Sequence, residues 1–403
     1  MKKLEQGSIT TPAGFRAAGV VSGIKESGTK DLALIASDTP ASAAAVYTRN
    51  RVQAAPIAID RDHLTDGRAQ AVILNSGNAN ACTGTQGEAD ARRMCEVTAT
   101  TLGLSPRDVL VCSTGVIGVE MPMQVIEAGI GPLVEALSPE GGISCAEAMM
   151  TTDTVAKHIA VEVEIGGRPV KVGGVAKGAA MISPNMATML AVVGTDAGLP
   201  AAQLHELLFK AVGRSFNCVT VDGDMSTNDT VIAMANGAAG VGDLDTPLSA
   251  DDAETLYAAM EFVCRHLARA MAADGEGASK LIHISVRGGR DEAEAKQVGL
   301  SVANSSLVKT AVFGNDPNWG RILCAMGYAG VDIEPSDVKV TLCGTTIYTD
   351  GAGAAYDAAE LSSAMQADQI TIDIDLAMGG ATAEIFTCDL TYEYVRLNAE
   401  YTT

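Results

Sequence analysis

The chain is short of aromatic residues, of histidine and of positive charge. Aromatics make up 4% of its 403 residues, against 42 glycines and abundant alanine, a balance that suits a tightly packed α/β protein with many turns. Its five histidines, His63, His158, His205, His266 and His283, stand apart, with no HExxH or HxH pair, so zinc and other metals have little support. With 28 basic residues against 49 acidic ones the formal charge is −21, which repels phosphate backbones and anionic lipid. Nucleic-acid and membrane partners are therefore not expected. The nine cysteines never form CxxC and are odd in number, which fits free thiols in a reducing cytoplasm. Residues 1–15 hold no apolar run of the secretory kind. The longest uncharged stretch, 178–195, carries Ser183, Pro184 and Asn185 near its middle and makes a poor membrane span. No GxGxxG follows a strand, and the lysine among the glycines of 173–178 lacks the order of a phosphate-binding loop. The run DGDMS at 222–226 begins like a calcium loop, but Thr227 and Ala233 occupy its required glycine and glutamate positions.

What is present is a chain with 47% apolar residues, enough to bury a sizeable core. Alternation predicts strands over 14–24, 31–37, 43–48, 218–221 and 369–375, and a hairpin over 158–172 turning at Gly166-Gly167. Helical spacing predicts helices over 87–102, 121–137 with an interruption at Gly131-Pro132, 201–212 and 251–273. A strand over 281–286 ends at Arg287-Gly288-Gly289-Arg290, a candidate domain boundary. Two helices and then strands are expected beyond it. No regular βαβ rhythm appears, so the fold class expected is α+β with a layered α/β/α core and a second, smaller C-terminal α/β domain over 287–403.

Residues 177–195 read KGAAMISPNMATMLAVVGT. Pro184-Asn185 forces a turn, Ala187 is small, and Thr188 precedes a strand-like run over 189–193. A threonine there is placed to attack the preceding carbonyl with its hydroxyl. An N-to-O acyl shift followed by hydrolysis would free Thr188 as a new N-terminus. Its α-amine, with an ordinary pKa of about 7.7–8.0, would then serve as general base to its own hydroxyl. Spacing alone fits a plain β-branched strand residue equally well, and Ser183 is a rival nucleophile whose following proline favours a turn. Charge developing on an acyl oxygen needs fixed donors. The segment CSTGVIG at 112–118 offers the Thr114 hydroxyl and, at Gly115, close backbone approach; NSGNAN at 75–80 offers amides. Both could equally be ordinary loops. An acidic substrate would also need a local cation in so acidic a protein.

The run from Lys177 to Leu190 resembles the cleavage segment of the ornithine acetyltransferases, the glutamate N-acetyltransferase family of arginine biosynthesis. The resemblance covers essentially the whole chain: NSGNANACTG at 75–84, TTDT at 151–154, DGDMSTND at 222–229, DGEGA at 274–278, LVKTAVFGNDPNWGR at 307–321 and YVRLNAEYTT at 394–403. Only Ala179-Ala180 departs, where more glycine or serine is expected. The resemblance implies a cut between Ala187 and Thr188, chains that stay together as α2β2, and a core completed by 188–286. It implies acetyl transfer from N-acetylornithine to glutamate through acetyl-Thr188, with no cofactor and with acetyl-CoA open as a further donor. Thr114 and Gly115 would form the oxyanion hole. Thr151, Lys177, Thr188, Glu276, Asn398 and Thr403 would bind substrate, the last two by return of the C-terminal tail to the site. Two other readings compete: a hydrolase with an N-terminal nucleophile, using water as acceptor, and an uncleaved scaffold without catalysis.

Overall fold

The computed structural model describes residues 1–183 and 189–400. Ala187, Thr188 and Thr403 lie outside the described residues. Nine strands form the larger sheet: β1 (Lys2–Leu4), β2 (Phe15–Val20), β3 (Leu32–Tyr47), β4 (Arg68–Asn78), β5 (Val109–Val116), β6 (Lys157–Ile165), β7 (Arg168–Lys177), β8 (Leu190–Thr195) and β9 (Thr230–Ala235). Their order is β1-β6-β7-β8-β9-β3-β4-β5, with β2 paired to β3. The β4–β5 and β8–β9 pairs are parallel and the rest antiparallel.

Alternation of side chains gives this sheet two apolar faces. On β6 to β9, Val161, Val172, Val193 and Val231 face helices α5 (Ala201–Gly213) and α6 (Ala250–Ala273), which follow α1 (Ala55–His63), α2 (Gly84–Leu102), α3 (Met123–Glu135) and α4 (Gly142–Met149) in the chain. Their sequence neighbours Val175, Val192 and Ile232 point the other way and pack with Val72, Leu110 and Met149. Helix α2 covers the outer side of β4 and β5 through Met94, and α3 that of β2 and β3 through Ile126 and Ile130. A helix layer, two facing halves of the sheet and a second helix layer are thus stacked.

The second sheet, in the order β13-β12-β11-β14-β10-β15, comprises β10 (Leu281–Gly289), β11 (Lys339–Leu342), β12 (Thr345–Thr349), β13 (Ala352–Gly353), β14 (Gln369–Asp375) and β15 (Ala381–Cys388). It packs on α7 (Glu292–Ala303), α8 (Ser306–Phe313) and α9 (Trp319–Gly327), and α10 (Ala358–Ala364) and α11 (Tyr392–Glu400) complete the chain.

Several elements differ from expectation for identifiable reasons. The segments 31–37 and 43–48 are one strand, because β3 pairs with β4 on one side and passes on to β9 after a register shift between Ala36 and Ala41. Pro132 sits inside α3 rather than interrupting it; it is exposed, so water can serve the carbonyl it leaves without a donor. The strand expected at 218–221 is a 3-10 turn, Phe216–Cys218, followed by Val219 bridging to Phe386. Strand β10 runs on through Arg287-Gly288-Gly289, bulging there, and the whole of it, from Leu281, lies in the second sheet, ahead of the boundary expected at 287. Five helices, rather than two, lie beyond it.

Phe386 ties the two sheets together. It lies on β15 of the smaller sheet but is buried in the core of the larger one, beside Val219 and Leu281, and stacks on His283 with ring centroids 5.0 Å apart. Phe386→Ala should therefore cost about 3–5 kcal/mol in denaturant unfolding; a loss below about 1 kcal/mol would show that the sheets do not depend on this contact.

Candidate active site

The site grows from a close approach of two parallel strands. Gly77 on β4 lies opposite Gly115 on β5, and the register shifts at Asn78, which pairs with both Thr114 and Val116. Gly115 has φ +134°, and a Cβ there would fall 2.3 Å from the Gly77 carbonyl carbon. No L side chain fits, so glycine is required for steric and conformational reasons together. The preceding residue, Thr114, is buried and turned toward the end of β7.

Lys177 ends β7. It is 3% exposed, and its ammonium donates to Thr114 Oγ1 at 3.2 Å. Because that hydroxyl oxygen accepts from the ammonium, its own proton remains free to donate elsewhere. Burial lowers the Lys177 pKa, and the nearby Asp153 carboxylate opposes that fall. On the next strand Lys177 pairs with Leu190, two positions after Thr188 in the sequence.

Asp153 is the counter-ion of this region. It takes the Gly178 N–H at 2.7 Å, the Thr151 N–H at 3.0 Å and the Lys157 ammonium at 2.6 Å. Lys157 also binds Asp274, at the end of α6, at 2.5 Å. Burial alone would raise the Asp153 carboxyl, but Lys177, Lys157 and the donated N–H groups outweigh it and pull its pKa from 3.8 down to about 2. Two residues past Asp274, Glu276 donates its N–H to the Ala179 carbonyl and accepts from Asn398 Nδ2 at 2.9 Å. The tail helix α11 thus reaches Glu276 through Asn398.

Two more carboxylates hold the chain on either side of 184–188. Asp222 accepts the N–H groups of Met181 and Ile182 at 2.6 and 2.9 Å, and Tyr394 of α11 reaches it at 3.4 Å. Asp229 accepts the Met189 N–H at 3.0 Å. Burial raises both carboxyls against these hydrogen bonds. Both belong to the DGDMSTND run, which therefore clamps backbone rather than calcium.

A cavity of about 1160 Å³ opens over these groups. Thr114, Gly115, Thr151, Lys177, Glu276 and Asn398 all line it. Every expected site residue within the described part of the chain is thereby brought together. Sequence reasoning missed Lys25, Asp153, Lys157, Asp222 and Asp229; the signal available was that the last four fall in or beside motifs already picked out, TTDT and DGDMSTND.

Such an arrangement serves enzymes that move an acyl group, since fixed donors and a buried cation stabilise charge on a carbonyl oxygen. The chain belongs to one such family, the ArgJ family, whose profile matches residues 16–403. It is 48% identical over 399 residues to the arginine biosynthesis bifunctional protein ArgJ of Symbiobacterium thermophilum, covering 98% of this chain and 99% of that one. It is 45% identical over 402 residues to the protein of the same description from Bacillus anthracis, covering 100% and 98%. Among solved structures, the ornithine acetyltransferase of Mycobacterium tuberculosis, complexed with ornithine, is 45% identical with a TM-score of 0.43, covering 45% of this chain and 97% of that chain.

Lys157→Met leaves Asp153 and Asp274 without their shared cation and should cost about 3–5 kcal/mol in unfolding free energy. The depressed Asp153 carboxyl makes its contribution in full above the ordinary value of 3.8 and loses it as pH falls through about 2. Denaturant unfolding between pH 5 and pH 2 should therefore weaken less steeply in Asp153→Asn than in the parent; equal slopes would rule Asp153 out as a source of acid sensitivity.

Proposed function

We propose that this chain is an acetyltransferase of arginine biosynthesis that cuts itself between Ala187 and Thr188 and carries acetyl from N-acetylornithine to glutamate on the Thr188 hydroxyl. The observation that carries this reading is the hydrogen bond from buried Lys177 to Thr114, beside Gly115 and one strand from Leu190. It leaves the Thr114 proton and the Gly115 N–H as donors for an oxyanion.

The transfer balances in two halves. Thr188 Oγ attacks the acetyl carbon of N-acetylornithine, its proton passing through the Thr188 amine to the departing ornithine nitrogen as the C–N bond breaks. The amine of glutamate then attacks the acetyl-Thr188 ester, the C–O bond breaks, and the proton returns to Oγ. Lys177 neutralises a substrate carboxylate; Glu276, with Asn398, holds the ornithine ammonium; Thr151 and Thr403 complete the binding. The earlier self-cleavage consumes one water, after the hydroxyl has taken the Ala187 acyl group from nitrogen to oxygen. Asp222 and Asp229 support it by fixing backbone on either side of the cleavage segment. The description of the relatives as bifunctional supports acetyl-CoA as a second donor. The two chains, 1–187 and 188–403, stay together as α2β2. Nine unpaired thiols support a cytoplasmic setting. Among the described residues no helix is long and apolar enough to cross a membrane.

Mass spectrometry of the purified protein after incubation with N-acetylornithine should find chains of 187 and 216 residues (403 − 187), with one acetyl on the heavier. Thr188→Ala should remain one chain of 403 residues without transfer; normal turnover in that variant refutes the nucleophile. Ornithine release that is fast and indifferent to glutamate would identify a hydrolase instead. Thr114→Val keeps the side-chain shape but removes the hydroxyl, and should lower kcat by about 10²–10³; a loss confined to KM would assign Thr114 to substrate binding alone.

A further inference from the structure

Apart from Lys177, the described lining of the cavity holds one other cation, Lys25. It sits in the segment joining β2 to β3, which a single buried carboxylate organises. Asp31 accepts the N–H groups of Ser22, Gly23, Ile24 and Lys25 and the Ser22 hydroxyl, at 2.6–3.1 Å. Asp31 is fully buried, and with so many donors it pins the loop and leaves little capacity to pair with the Lys25 ammonium.

The Lys25 stem lies against Gly77. A Cβ on Gly77 would meet Lys25 Cγ at 3.1 Å and Ile24 Cγ2 at 2.9 Å, and a Cβ on Gly115 would meet Gly77 Cα at 2.7 Å. Lys25 is thus one glycine removed from the oxyanion donors. Its ammonium donates to the carbonyls of Met150 at 2.6 Å and Lys30 at 2.9 Å. The first of these immediately precedes Thr151. Two of its three protons are so used, and no carboxylate lies within ion-pair distance among the described residues. Burial lowers its pKa, Asp31 opposing, so an anion brought beside it would be bound with gain.

Both substrates carry an α-carboxylate, which a cation beside the reacting nitrogen can hold. They differ at the far end: ornithine has an ammonium, glutamate a second carboxylate. The cavity lining is otherwise acidic, with Glu26, Glu120, Asp222, Asp224 and Glu276, which suits the ammonium and disfavours the carboxylate. Lys177 already has Asp153 as counter-ion. We infer that Lys25 is the binding group for the side-chain carboxylate of the acceptor amino acid, and so lets one cavity take an acidic acceptor as well as a basic product. This inference rests on the acetyl-transfer reading above.

The test is the ratio of kcat/KM for glutamate to that for glutamine as acetyl acceptors, which differ only in the charge and donors of the far group. The parent should prefer glutamate by roughly 10- to 100-fold, through KM. Lys25→Met should bring the ratio toward one, and Lys25→Arg should keep most of it. A merely structural Lys25, tying the Met150 carbonyl, would lower both acceptors alike in Lys25→Met and leave the ratio in place, which overturns the inference. So would a parent that accepts glutamine as well as glutamate. A parent that transfers acetyl to neither overturns the acetyl-transfer reading itself.

Discussion

The structure depends on keeping an almost wholly buried ammonium charged. Lys177 closes a strand in the middle of the larger sheet, and its side chain is buried. An unpaired charge there would cost several kcal/mol and would neutralise instead. Asp153 prevents this by proximity, and Asp153 is itself held by Lys157, which also binds Asp274, and by the N–H groups of Thr151 and Gly178. Each of these contacts joins a different part of the chain to the site: the loop after α4, the start of β6, the end of α6 and the end of β7. Electrostatic compensation and site assembly are the same set of bonds. This explains how a protein of charge −21 can keep a positive centre buried beside its cavity.

Around that centre, carboxylates act mostly on backbone. Asp31 gathers one loop, Asp222 takes the N–H groups of Met181 and Ile182, and Asp229 takes that of Met189. Carboxylates that accept main-chain N–H groups fix direction as well as position, which side-chain packing alone does not do. The C-terminal helix is drawn in by Asp222 through Tyr394 and by Glu276 through Asn398.

Sequence reading went furthest where local pattern and burial agree. The hairpin at 158–172 and the helices at 201–212 and 251–273 are legible because each has one period and one apolar face. The glycines of 112–118 and the lysine at 177 could be picked out, but their roles could not be separated from those of ordinary turns, since a glycine required by a neighbouring strand looks the same as one required by a bend. The strand misread as two at 31–48 fails for a related reason: whether a polar interruption ends a strand is decided by whether the partner strand continues.

Residue types along the chain determined the acidic charge, the α+β class and the absence of a paired-histidine metal motif. They also carried a family resemblance dense enough to assign the chemistry. Tertiary structure alone decided that Thr114 accepts from Lys177, that Asp153 is the counter-ion, and that a loop near residue 25 lies against the glycine pair of β4 and β5. These are contacts between segments tens of residues apart, and their energies come from desolvation and charge pairing, which no one-dimensional spacing encodes.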